Sequence, residues 1–193
     1  MKYDPHIHHR RSIRLKGYDY SLPGGYFVTI CVRHRECLLG EITTDGIRLS
    51  EYGLLVDEAW RDLPNHYRHV QLDQFVVMPN HVHGIIFLIN DNTVGTGSEP
   101  VPTGAIDTTK RHPLSEIVRS FKTFSARRIN SVRGVRGVPL WQRNYFEHII
   151  RDERDLNRIR QYIIDNPTRW LYDRNNPFIR KMHRTGDKSS QFP

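Results

Sequence analysis

The chain has 193 residues, 37% of them hydrophobic and 26% charged, which fits one globular domain with a real core. No apolar run approaches the roughly 20 residues that span a bilayer, and the first twenty residues, MKYDPHIHHRRSIRLKGYDY, lack the apolar stretch of a secretory signal, so a cytoplasmic protein without a membrane segment is expected. The 29 Lys and Arg against 21 Asp and Glu leave a formal net charge of +8, which favours a polyanionic partner, because each neutralised phosphate releases counterions.

Residues 1–20 are basic and aromatic without apolar periodicity, and predict an arm that orders only on docking. Pro23-Gly24-Gly25 is a turn signal, and YFVTICV (26–32) follows as a strand. Cys31 in that strand reads as a buried thiol, and with Cys37 it fits neither a zinc nor a redox spacing. Residues 38–49 predict a hairpin around Asp45-Gly46. Ser50 can cap a helix to about Leu63 with Leu54, Leu55, Ala59 and Leu63 on its apolar face, ended by Pro64-Asn65. Strands over 70–78 and 81–89 flank a turn at Pro79-Asn80. Residues 91–109, rich in Gly, Pro, Thr and Asp, predict a flexible surface loop.

The spacing of Ile117, Phe121, Phe124 and Ile129 predicts a helix from Leu114 to about Asn130, with Arg119, Lys122, Arg127 and Arg128 off its apolar stripe. A basic, Gly-containing loop (132–139) carries Arg133 and Arg136, and the aromatic segment 141–150 has no clear type. A last helix runs from Asp152 to about Asp165, burying Leu156, Ile159 and Ile163, and must stop near Asn166 because Pro167 disfavours helix in the residue before it. The tail beyond Lys181 is polar and expected to be disordered. This order predicts an α+β sandwich of one mainly antiparallel sheet with packed helices. The expected organisation is an arm (1–20), one domain (21–175) and a tail (176–193).

Eleven histidines make metal or proton chemistry worth seeking. In VVMPNHVHGIIFL (76–88) the strand period of two puts His81 and His83 on one face, where two imidazoles can share a metal. A lone pair at this spacing is more often two half-exposed strand histidines. His6 and His8 share the spacing but lie in the basic arm with no strand around them. In NRIRQYIIDNPTRW (157–170), Tyr162 and Asn166 are four apart and so share a helix face beside Ile159 and Ile163. From the helix alone, a packed Tyr and a C-capping Asn is the commoner arrangement.

Taken in order, Gly25-Tyr26-Phe27-Val28-Thr29 with Arg33 and Arg35, then Val77-Met78-Pro79-Asn80-His81-Val82-His83, then Trp141-Gln142-Arg143, Glu147-His148 and Tyr162-Ile163-Ile164-Asp165-Asn166-Pro167, resemble the IS200/IS605-like family of single-tyrosine transposases. The likeness is greatest to the REP-associated tyrosine transposase branch and covers roughly residues 18–172. It implies a ferredoxin-like, RRM-like antiparallel sheet with helices packed on one face and the two histidines on a central strand. It implies Mg²⁺ or Mn²⁺ held by His81, His83 and Asn166, with Tyr162 as the nucleophile. The implied activity is cleavage and rejoining of single-stranded or hairpin DNA through a 5′-phosphotyrosine, by a monomer or a homodimer. Loop 91–109 is longer than expected for a compact member. Arg119, Lys122, Arg127, Arg128, Arg133 and Arg136 are then candidate phosphate contacts, or simply solvated charges. Tyr145 is a candidate for core packing or base stacking, and Glu147 and His148 for supporting roles. Two rival readings stand beside this one: a non-catalytic RRM-like nucleic-acid-binding protein, and a hydrolase that needs a further His or carboxylate ligand and forms no covalent intermediate.

Overall fold

The apolar run of the first strand has no polar parity: Tyr26, Val28 and Ile30 alternate with Phe27, so both faces must be covered. In the computed structural model this strand, β1 (Gly24–Cys31), lies inside a four-stranded sheet. Residues 15, 17–90, 111–173, 175–177 and 179 are described. The histidines of the arm, loop 91–109 and the tail beyond Lys181 lie outside the described residues.

β1 pairs with β5 (His81–Leu88) on one side and β6 (Phe146–Ile150) on the other, and β4 (Val70–Met78) closes the far side of β5, giving the order β4-β5-β1-β6 with every neighbour antiparallel. Helix α1 (Glu51–Arg61) connects β1 to β4, and α3 (Leu114–Val132) connects β5 to β6. That connectivity is the ferredoxin-like βαββαβ pattern. The hairpin β2 (Gly40–Thr43) and β3 (Gly46–Leu49) stands apart as its own two-stranded sheet around the expected turn. Ser50 caps α1 as expected, its Oγ accepting from Gly53 N–H at 3.1 Å and donating to Leu38 O at 2.6 Å.

On one face, Tyr26, Val28, Ile30, Val82 and Ile86 pack with Val56 and Trp60 of α1 and Ile117 and Phe121 of α3. On the other, Phe27 and Ile85 pack with Ile159 and Ile163 of α4 (Glu153–Asp165). The α+β class and the antiparallel sheet are as expected. The helices, however, divide between the faces: α4 covers the second face, because Phe27 and Ile85 leave it apolar too. Asp73, at the irregularity between Leu72 and Phe75 of β4, receives Arg160 of α4 at 2.9 Å and orients that helix on the sheet.

Other expectations are corrected. Leu54 and Phe124 are exposed, at 55% and 45%. The buried side of α1 runs through Gly53, Val56, Ala59 and Trp60, and that of α3 through Ile117, Val118, Phe121, Ser125 and Ile129. Phe124 instead stacks on His66, with ring centres 5.7 Å apart. Pro64-Asn65 does not end the first helix. α1 stops at Arg61, and Pro64 sits in the first turn of a one-turn helix α2 (Leu63–His66), where its missing N–H costs nothing. The aromatic segment 141–150 resolves into a bridge between Trp141 and Val32 followed by β6, with Trp141 Nε1–H donating to buried Ser125 Oγ at 2.9 Å.

Gly84 is where α1 meets the sheet. A Cβ there would lie 2.3 Å from Trp60 Cζ2 and 2.9 Å from Phe75 Cδ2, so only glycine lets the Trp60 ring stack on Phe75 at 4.4 Å. Gly84→Ala is expected to destabilise the fold by about 1–3 kcal/mol through overpacking, read as a lowered urea midpoint. An unchanged midpoint would mean that the Trp60 ring is free to shift.

Candidate active site

The antiparallel register of β1 and β5 sets Thr29 opposite His83 and Cys31 opposite His81, so all four share the face covered by α4. The histidines are not half-exposed: His81 is 0% and His83 2% accessible. Their Nε2 atoms lie 2.9 Å apart. Asn80, also fully buried, determines how His81 is protonated. Its Nδ2 donates to Arg35 O at 2.9 Å and Asn175 O at 2.7 Å, which fixes the amide orientation. Its Oδ1 therefore faces His81 Nδ1 at 2.9 Å and accepts that N–H, leaving the lone pair on His81 Nε2. Thr29 Oγ1 lies 2.8 Å from His83 Nδ1. When His83 donates to it, both Nε2 lone pairs converge on one point, the arrangement that suits a shared cation. Otherwise His83 Nε2–H donates to His81.

Burial, then the neighbouring His83 and Arg35, push His81 well below the usual imidazole range, and burial pushes His83 down to about 3. Both rings are thus neutral at pH 7, the form that ligates metal.

Asp173, absent from the sequence reading, joins them. It follows the short turn Trp170–Tyr172, and its Oδ2 lies 3.5 Å from His81 Nε2. The ligand atoms of His81, His83 and Asp173 all fall within 4.8 Å of one another. Burial pushes the Asp173 carboxyl up, against the Asn175 N–H and the Arg35 charge. Tyr162, on α4, sets its ring edgewise on His83 at 5.2 Å and on Phe27 at 5.9 Å, while remaining 43% exposed. Burial raises its phenol, the Asn166 side chain counters this, and Asp173 raises it further. Asn166 forms the C-cap of α4 and is 4% accessible; its Oδ1 is buried without a hydrogen-bond partner among the described residues.

His83 and Tyr162 line a cavity of about 540 Å³ with Phe27, Thr29, Arg35, Gln142, His148 and Arg158. His34 and Arg35 adopt left-handed backbone, with φ of 57° and 59°, a strained conformation held by Val32 N–H to Asn80 O at 2.8 Å and by the Asn80 amide. Arg35 Nη1 is buried without a hydrogen-bond partner among the described residues. Cys31 is half-buried at this cavity rather than in the core, because its parity points it to the site face.

The remaining candidates scatter. His148 pairs with Asp155 at 2.8 Å, Glu147 is buried on the opposite face, and Tyr145 is half-buried in the cavity wall. Arg128 turns to Asp62 (3.8 Å) and Glu58 (3.9 Å) beside α1, and Arg119 lies 3.5 Å from Glu116. Lys122 Nζ donates to Gln142 O at 2.6 Å and Arg143 O at 3.0 Å. Arg127, Arg133 and Arg136 are exposed. Among the residues missed, Asn80 was visible beside His81 in the motif, and Arg35 in the segment after the first strand. Asp173 had no local signal.

No family model matches the chain. A solved REP-associated tyrosine transposase bound to a REP hairpin superposes with a TM-score of 0.51 at 22% identity, over 83% of this chain and 74% of that one. The fold is therefore that of a REP-associated tyrosine transposase. An uncharacterized protein of Haemophilus influenzae (strain Rd) is 42% identical over 178 residues, 89% of this chain and 96% of that protein, and the chain belongs to the same family. Among the described residues, no helix is long and apolar enough to cross a membrane.

Asn80→Ala removes the acceptor for His81 and the donor for two loop carbonyls at once. The expected cost is about 2–4 kcal/mol in a denaturant titration, because buried polar groups lose their partners. Loss below about 0.5 kcal/mol would show that the left-handed turn at Arg35 holds without the amide.

Proposed function

We propose that the protein is a metal-dependent single-stranded DNA endonuclease and strand transferase, acting as a tyrosine transposase on single-stranded or hairpin DNA. The carrying observation is Tyr162 on α4 held 5.2 Å from His83 at a converged pair of neutral imidazoles. The +8 charge and the hairpin-bound structural neighbour support the choice of partner.

The donor set fits a hard divalent cation such as Mg²⁺ or Mn²⁺. It offers two neutral imidazole nitrogens and the Asp173 carboxylate, and the Asn166 Oδ1, buried without a hydrogen-bond partner among the described residues, is a further candidate donor. When bound there, the ion would polarise a non-bridging oxygen of the scissile phosphate. Arg35, on the cavity wall with a buried Nη1 that has no hydrogen-bond partner among the described residues, adds a charge-assisted donor for the same phosphate. Tyr162 Oη attacks phosphorus and forms the new P–O bond, and its proton leaves to solvent at the exposed edge of the ring. The bond to the 3′ oxygen breaks, that oxygen takes up a proton, and the 5′ phosphate stays on the tyrosine. Attack by a 3′-hydroxyl in the reverse sense rejoins strands.

Asp173 favours a second reading, since a His, His, carboxylate set also serves hydrolysis by water with no covalent intermediate. Denaturing gels of wild type and Tyr162→Phe, incubated with Mn²⁺ and an oligonucleotide labelled 3′ of the cut, separate the two. Label that co-migrates with wild-type protein and is lost in Tyr162→Phe is the expected result. Cleavage with no adduct in wild type establishes hydrolysis instead.

For the metal, His81→Ala/His83→Ala is expected to lower hairpin cleavage at least a hundredfold, matched by wild type in excess EDTA. Full activity in either case removes the cation from the scheme.

A further inference from the structure

A second cavity, of about 890 Å³, lies between α3 and the segment that leads into β6. Its volume is that of a small-molecule site. Val118, Leu140 and the buried Trp141 give it an apolar floor, and Arg119, Arg127 and Arg143 stand at its rim. Arg127 and Arg143 make no ion pair among the described residues. Lys122 does not serve as a free cation here. Burial lowers its ammonium, and its two hydrogen bonds to Gln142 O and Arg143 O brace the outer wall against α3.

That wall is shared. Asn144 and Tyr145 line both this cavity and the one that holds His83 and Tyr162. A strand with its phosphate at Tyr162 therefore has a second recess one segment of wall away. An apolar, aromatic floor under guanidinium groups suits an unstacked base with its phosphates. A duplex has no exposed base face to offer such a recess.

We infer that the cavity between α3 and residues 137–145 is a base pocket, which takes an unpaired nucleotide of the single-stranded flank beside the phosphate cleaved at Tyr162. The inference rests on the proposed single-stranded DNA substrate and adds where a flanking base is held.

The test uses fluorescence anisotropy with a fluorescein-labelled hairpin oligonucleotide carrying single-stranded thymidine flanks, and a series with one abasic nucleotide at successive flank positions. Two variants accompany the full-length protein. Thr123→Trp fills the cavity from a half-buried position of α3 in its lining, and Arg127→Gln/Arg143→Gln removes charge at its rim. Wild type should lose affinity by roughly tenfold at one abasic position. Thr123→Trp should bind the intact oligonucleotide about tenfold more weakly and lose nothing further at that position. The double Gln variant should lower the slope of log K against log salt by about 0.7 for each phosphate contact removed, and decides the matter if Thr123→Trp does not fold. Wild-type affinity, salt slope and abasic profile in both variants overturn the pocket, while the Tyr162 adduct in the same preparations leaves the proposed function standing. Absence of any wild-type affinity for the oligonucleotide overturns both.

Discussion

The antiparallel pairing of β1 with β5 is the constraint on which the rest depends. These are the two inner strands, and both of their faces are buried, so a slip of one residue would exchange the parity of every side chain. One parity carries Val28, Ile30, Val82 and Ile86 into the core under α1 and α3. The other places Phe27 and Ile85 under α4 and, further along the same face, Thr29 beside His83. The large core on one side thus holds in register a site built on the other. Gly84, which admits Trp60 to the core face, sits one residue after His83 and locks the same strand from behind.

The site face combines dry packing with polar groups that have little room to rearrange. His81 is fully buried, and its neutral state follows from that burial. Asn80 reconciles three demands at the end of β5: the acceptor for His81, and donors for the carbonyls of Arg35 and Asn175. Those carbonyls belong to the left-handed turn after β1 and to the chain just past Asp173. One buried amide therefore ties together the imidazole, the arginine turn and the carboxylate segment. The proposed chemistry asks for such a preorganised frame, because a phenol with a raised pKa needs its target phosphate held and neutralised by other groups.

Charge is distributed unequally around this frame. Arg128, on the same helix as Arg119, Lys122 and Arg127, is engaged by the acidic side of α1, while Lys122 is spent on backbone carbonyls. Helical spacing shows only that four basic residues lie off the apolar stripe. Which of them face open space depends on what packs beside the helix.

Much of the fold was legible in the sequence. The strands β1, β4 and β5, the Asp45-Gly46 hairpin, the Ser50 and Asp152 helix starts and the stop near Asn166 follow from periodicity and capping, which act between near neighbours, whereas β6 was not legible. So do the same-face placement of His81 and His83 and the four-residue spacing of Tyr162 and Asn166. The sequence did not reveal that α4 takes the second face of the sheet, that both histidines are wholly buried, or that Cys31 lines the site. Nor did it reveal Asp173, which lies beyond Pro167 and meets His81 only because the chain turns back over the sheet end. Local propensity sets which face of its own element a side chain occupies. Which elements meet across that face, and so which distant polar groups share one buried space, was decided only when burial of both sheet faces fixed the packing.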